Sequence, residues 1–460
     1  MATEITEKTA DGYPINPFAS HPPSVASGFT SRPVSASGAG SIFPRGSRRV
    51  FKSARVDPDE LRARTPWYNT PVGKATLRRT RWSCLGVSTL GVLSAAALIV
   101  TTFLATPKHK YCLVLEETFD GSSINSDTWF HQVELGGFGN HEFEMTTSSP
   151  NNSFVEDGKL YIVPTLTSDN LGVEAITNGY TLNLTSDGTC TSDSLSDCVA
   201  FSNSTYGNYS VIPPVQSARL ITKFSHNIKY GRVEVKAKMP TGDYIWPAIW
   251  MLPTDSVYGG WPRSGEIDII ETKGNLPKSN SDDAVNVQKT ALHWGLDYAN
   301  DGYLQTAGQY RFKQKYSNQQ YTTYGLDWDS KGMSFWTSLR SRVSLAVDFN
   351  KQFWKRGKFS NAIVNGTTAA NPWTAAENLN AAPFDQSFYL ILSVAVGGTN
   401  GWFTESDMPW SNASPTAARD FWLAKDRWYP TWPTDPKERG MAVESVKIWR
   451  IAEKGEQCKA

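Results

Sequence analysis

The sequence predicts an all-β domain, a sandwich of two antiparallel sheets dressed with long loops, on three observations. From Tyr111 onward apolar residues fall into short β-branched or aromatic runs. Gly, Pro and Asn turns separate those runs, and hardly any segment sustains a 3.6-residue apolar period. In chain order the runs are YCLVLEETF, GKLYIVPTL, SARLITKF, YGRVEVKAKM, SGEIDIIE, KTALHWG, TTYGLDWD, SFYLILSVAV and AVESVKIWRI. Roughly 350 residues exceed what a plain sandwich needs, so the surplus is assigned to loops. The 17 Trp, 18 Tyr and 21 Phe suit either an aromatic core or a groove that stacks on flat ligands such as sugar rings.

Ahead of the β region the chain changes character. Residues 1–83 carry 13 Lys/Arg against 6 Asp/Glu and are rich in Ser, Pro and Gly, which predicts a disordered basic tail. Residues 84–106, CLGVSTLGVLSAAALIVTTFLAT, hold no charge. As a helix they would extend about 34 Å, enough for a hydrocarbon core of about 30 Å. The flank KATLRRTRW is denser in cations than PKHKY, so the tail is expected in the cytosol. The expectation is a single-pass type II signal-anchor protein, with residues 107–460 in the secretory lumen or at the cell surface. The net charge of +1 gives no reason to propose nucleic acid as a partner.

Sequons agree with that orientation. They occur at Asn151, Asn183, Asn203, Asn208, Asn365 and Asn412, all beyond the apolar span. So do the cysteines, of which Cys112, Cys190, Cys198 and Cys458 fall in the oxidising compartment. Four cysteines allow three connectivities; the preferred one joins Cys190 to Cys198 across a short loop and Cys112 to Cys458 across the domain ends. Cys84 opens the apolar span without a nearby partner, as a plain helix residue or an acylation site. No Cys or His cluster suggests zinc.

The stretch GEIDIIE carries three acids, Glu266, Asp268 and Glu271. In a regular strand Glu266 and Asp268 share a face, while Glu271, an odd number of residues on, turns away. A β-bulge with Ile269 or Ile270 as the extra residue would bring it back. The two glutamate carboxyls could then approach to about 5–5.5 Å, the separation of a retaining glycosidase. The competing reading is a strand whose acids face solvent or bind calcium. Clustered acids repel, and so cost stability unless protons or cations intervene.

With its flanks, PVQSARLITKFSHNIKYGRVEVKAKMPTGDYIWPAIWMLP, GGFGNHEFEMTT, TALHWG and FYLILSVAVGGTNGWF, this motif resembles glycoside hydrolase family 16 over about residues 112–458. The nearest likeness is to its laminarinase-like β-1,3-glucanases. The resemblance implies a concanavalin-like jelly roll and a β-glucan substrate. It also implies roles: Glu266 as nucleophile, Glu271 as general acid/base, and Asp268 as the group adjusting their protonation. His293 resembles a histidine beside the acids, with a purely structural histidine as the alternative. Trp246, Trp250 and Trp261 are the implied stacking platforms, and Asn140, Glu142 and Arg219 polar groups of the cleft. No cofactor is implied for the chemistry; a structural calcium is implied near Glu117, Gly158 and Glu444. Ser393 stands where the family usually has Asn, and SFWTSLRSRV lacks the usual Asp-Gly turn.

These implications favour a retaining endo-β-1,3(4)-glucan hydrolase. Two alternatives stand beside it. One is a transglycosylase that remodels wall glucan, a reading that the resemblance of this layout to fungal type II membrane proteins of glucan assembly supports. The other is a non-catalytic glucan-binding receptor, against which the three intact acids argue.

Overall fold

The computed structural model describes residues 57–63, 65–105, 109–279, 282–364 and 366–458. The chain divides into two compact units, Met1–Ala105 and Thr106–Ala460. In the first, a helix runs over Pro71–Ala105. Thr70 caps it, its hydroxyl accepting from Gly73 N at 3.1 Å, and Pro71 sits at the first turn, where a missing N–H is harmless. The helix therefore starts well before Cys84, where the apolar span begins. Lys74, Arg78, Arg79 and Arg81 are good helix formers, so the edge of the apolar span does not mark the edge of the helix. Residues 58–63 are helical too, which corrects the disordered tail at both places; residues 1–56 and 64 lie outside the described residues. The segment Pro71–Thr102 is long and apolar enough to cross a membrane.

The second unit consists mainly of two eight-stranded antiparallel sheets packed face to face. One contains the seven strands β1 (Phe130–Gln132), β2 (Arg219–Ile221), β3 (Ile245–Pro253), β4 (Glu266–Glu271), β5 (Val287–His293), β6 (Ala307–Arg311) and β7 (Phe388–Val396). Their spatial order is β6-β5-β4-β3-β7-β2-β1, with the short strand Asn227–Ile228 also on β7. In the other, Gly231–Lys238 lies between Thr322–Asp329 and Met441–Ile451. All nine runs read from the sequence contribute strands.

Alternation along each strand separates core from cleft. On β3, Ile245, Ile249 and Met251 enter the core, while Trp246, Ala248 and Trp250 line the opposite face. On β7, Leu390, Leu392 and Val394 are fully or almost fully buried between the sheets, and Ser393 and Ala395 face the cleft. The buried Ile and Leu side chains each contribute roughly 1.5–3 kcal/mol on leaving water, and this anchors the cleft sheet. SFWTSLRSRV does turn without Asp-Gly: Ser338, at φ 65°, takes the left-handed conformation a glycine would otherwise supply.

The cysteines pair as Cys112–Cys458 and Cys190–Cys198. The first joins the strand Tyr111–Glu117 to the tail of its antiparallel neighbour, Met441–Ile451. Of the sequons, Asn151 and Asn208 are exposed, and Asn183 and Asn203 are partly so. Asn412 is turned inward instead, donating to Phe403 O at 3.0 Å and accepting from Trp410 Nε1 at 3.2 Å, which makes it a poor glycan acceptor. Asn365 lies outside the described residues.

Candidate active site

The acid strand is bulged. On β5, Asp268 faces Ala291 and Glu271 faces Lys289, so Ile269 and Ile270 together oppose Thr290. On β3, Asp268 faces Trp250 and Ile270 faces Ile249, which leaves Ile269 as the extra residue. Both isoleucines are buried in the core, and Thr290 Oγ1 donates to Ile269 O at 3.2 Å. Glu271 thereby returns to the face of Glu266 and Asp268, and all three line one cleft of about 1120 Å³.

Each acid has its own setting. Glu266 Oε2 accepts from Trp261 Nε1 at 3.0 Å, and Glu271 Oε1 accepts from Trp246 Nε1 at 3.0 Å. Asp268, almost fully buried between them, has Oδ2 at 3.3 Å from His293 Nε2. The other imidazole nitrogen, Nδ1, lies 2.5 Å from Asp301 Oδ2. Tyr303 stacks on the same ring at 4.9 Å. With a carboxylate beside each of its nitrogens, the ring is favoured in its cationic form.

The electrostatics follow from these contacts. Burial disfavours the imidazolium, but its bonds to Asp268 and Asp301 outweigh that and hold His293 well above the usual histidine range. Burial, then the charge of Asp268, pushes Glu271 up to about 8; His293 and the Trp246 N–H oppose the rise. Burial and Asp268 also push Glu266 up, against His293 and the Trp261 N–H. The cluster thus holds a proton near neutrality.

Glu266, Asp268 and His293 offer ligand atoms within 4.8 Å of one another, a spacing that would suit a metal ion. A histidine protonated on both nitrogens has no lone pair to give an ion, so the ion-paired and metal-bound arrangements of His293 are alternatives. Two of the residues implied for calcium have partners within the protein. Lys236 Nζ neutralises Glu444 at 2.7 Å, and Glu117 accepts from Phe119 N at 2.9 Å.

The implied stacking aromatics differ in setting. Trp246 lines the cleft with one face covered by Trp402, stacked at 4.9 Å and 11°, and its indole N–H donates to Glu271. Trp250 is half-buried, donating to Ser393 Oγ at 3.0 Å, so the serine at the usual Asn position serves as an acceptor. Trp261, 43% exposed, stands beside Glu266 in the cleft, with the rings of His293 and Tyr298 at 5.8 and 6.0 Å. Arg219 lies in the cleft wall, its guanidinium between the rings of Phe138 at 4.0 Å and Trp250 at 4.5 Å. Asn140 donates to Glu142 Oε1 at 2.9 Å and accepts from Asn400 at 3.0 Å, forming a polar end to the cleft. This arrangement needs the GGFGN loop to coil tightly; a Cβ at Gly137 would sit 2.6 Å from Glu142 N.

Sequence reasoning missed Asp301, Tyr303 and Lys289. Asp301 stands in a loop that folds back through a bridge to Gly295, and no spacing marks it. Its role can be tested. In Asp301→Asn, the His293 imidazole is expected to titrate at lower pH by nitrogen NMR. Loss of that cation raises Glu266, so the acidic limb of the kcat/KM profile moves to higher pH while KM stays put. An unmoved imidazole titration would exclude the role.

Two packed antiparallel sheets thus bring three acids, a histidine and several tryptophans into one open cleft. A family profile described as "Glycosyl hydrolases family 16" matches residues 173–341, which include the acid strand. The chain belongs to glycosyl hydrolase family 16. It is 39% identical over 354 residues to the beta-1,3-glucan-binding protein of Penaeus monodon, an alignment covering 74% of this chain and 90% of that protein. It is 31% identical over 300 residues to glucan endo-1,3-beta-glucosidase A1 of Niallia circulans, covering 62% of this chain but only 34% of that enzyme. Among solved structures, the laminarinase of Rhodothermus marinus aligns with 75% of this chain and 100% of its own, at 21% identity and a TM-score of 0.46.

Proposed function

We propose that residues 107–460 form a retaining endo-β-1,3(4)-glucan hydrolase. The observation that carries this reading is the bulge, which gathers Glu266, Asp268 and Glu271 into one cleft with different partners. Glu266, as carboxylate, attacks the anomeric carbon and forms a glycosyl ester. Glu271 gives its proton to the departing sugar oxygen as the glycosidic bond breaks. Glu271, now anionic, takes a proton from water, whose oxygen displaces Glu266 and releases the product. Asp268 raises the proton affinity of both glutamates and His293 opposes that rise, so attack by Glu266 requires that it first lose its proton while Glu271 keeps its own. The reaction uses only protein groups and water.

A second reading is a glucan-binding protein, favoured by the name of the relative from Penaeus monodon. Mass spectrometry of laminarin, lichenan and β-1,6-glucan after incubation separates the two. Shortened oligosaccharides support the enzyme, with retention of configuration read by proton NMR before mutarotation; binding without products supports the binder. Longer products, formed by transfer to a sugar acceptor, would indicate a transglycosylase.

We also propose that the helix over Pro71–Thr102 anchors the chain as a type II membrane protein, with glycans on Asn151, Asn183, Asn203 and Asn208. Protease added outside sealed microsomes is expected to remove only the N-terminal tail, and glycosidase treatment to shift the mobility of the full-length chain. Degradation of the sandwich with the tail intact would reverse the orientation.

A further inference from the structure

Lys289 stands directly across from Glu271, the two residues paired in register on the neighbouring strands β5 and β4. Paired residues share a face and hold their β-carbons about 5 Å apart, and both of these residues line the cleft. The lysine is held in place there. Its Nζ lies 2.6 Å from Asp283 Oδ2, and the ammonium sits over the ring of Trp402, 4.3 Å from the centroid. Trp402 in turn stacks on Trp246, whose indole N–H donates to Glu271. Lys289 therefore reaches Glu271 by two routes, once across the strands and once through two stacked indoles.

The charges behind it are matched. Glu405, at 2.6 Å, is the nearer partner of the buried Lys273, which lies 3.5 Å from Asp283. Two ammonium groups thus face two carboxylates, and the group is neutral before Glu271 ionises. The other charged groups around Glu271 act differently. Glu266 and Asp268, from its own strand, oppose a negative charge on it, and His293, from β5, sits against Asp268 and Asp301. From β3 come Trp246, Ala248 and Trp250, none of them charged. Lys289 is the cation aligned with Glu271 itself, and its charge favours the carboxylate form.

We propose that Lys289 is a positioning residue for the acid/base: clamped by Asp283 and Trp402, it steadies Trp246 against Glu271 and stabilises the carboxylate that Glu271 becomes on protonating the departing sugar oxygen. The proposal rests on the reading of Glu271 as acid/base. As the glycosidic bond breaks, its electron pair goes to the leaving oxygen, which takes the proton of Glu271. The negative charge is left on Glu271, opposite the ammonium. A leaving group that departs as an anion takes no proton from Glu271 and has little need of Lys289. Dependence on the leaving group is thus the property that this lysine sets.

Lys289→Met keeps most of the stem and removes the charge. Its kcat/KM is expected to fall about tenfold on laminarin, the scale of one partly screened cation, and to stay within about threefold on an aryl β-glucoside. Lys289→Gln should repeat that split, and Lys289→Arg should recover laminarin turnover. Retained aryl activity shows in the same assay that the site is folded. Equal losses on both substrates, or no loss on laminarin, overturn the proposal without touching the role of Glu271, which Glu271→Ala reports. Titration calorimetry of laminarin with Glu266→Gln, with and without Lys289→Met, separates binding from chemistry. An affinity loss as large as the activity loss would make Lys289 a sugar contact and overturn the proposal. A parent that cleaves neither substrate removes the acid/base reading and this proposal together.

Discussion

Glu266→Gln is expected to lower turnover of β-1,3-glucan by at least about 10⁴-fold while leaving glucan binding nearly intact. Glutamine keeps the shape of the side chain and an oxygen to accept from Trp261 Nε1, but it cannot be an anion and so cannot attack. The same change makes a stability prediction of definite sign. Folding raises the proton affinity of Glu266 above its unfolded value, so the folded state loses stability as pH climbs above the unfolded value, through the folded one. The amide has no proton to lose, so the variant should melt at a higher temperature than the parent near neutrality and at a similar temperature in acid. A 2-fluoro glycoside inhibitor should label Glu266 in the parent. Labelling at Asp268 or Glu271 would refute the assignment.

Glu271→Ala should reduce activity on ordinary glucan by a factor on the order of 10²–10⁴, the contribution of a positioned acid. On an aryl glucoside, whose leaving group needs little protonation, the loss should be much smaller. Azide should recover turnover, entering the space the carboxylate vacates and yielding a β-glycosyl azide. In the parent, Glu271 must hold its proton to act, so kcat/KM should fall as pH rises past about 8, and this limb should disappear in the variant on the aryl substrate. Equal losses on both substrates, with no azide product, would remove Glu271 from the role of acid/base.

What was legible in the sequence is what strands dictate locally. Val, Ile and aromatic alternation marks the strands that bury one face, and the odd spacing of Glu271 marks the bulge, because a period of two admits no other way back. The strand Leu339–Asp348 escaped notice because most of its residues are exposed, so Arg340, Ser341 and Arg342 replace the apolar repeat. The contacts that tune the acids were not legible for a different reason. Asp301 reaches His293 through a loop, and Trp402 reaches Trp246 from a distant part of the chain; neither approach leaves a periodicity. Trp294, next to His293, illustrates the same limit, since strand alternation sends it wholly into the core.

Cys112–Cys458 has a topological consequence. The bond spans a sequence separation of 346, so nearly all of the β-sandwich is one covalent ring, with a stem leading out of it toward the N-terminus. A protease cutting once in any exposed loop between these cysteines opens the ring but frees no fragment, because both new ends stay joined through the bond. A domain processed in this way would remain attached to its stem until a reductant, or a second cut, let part of it go.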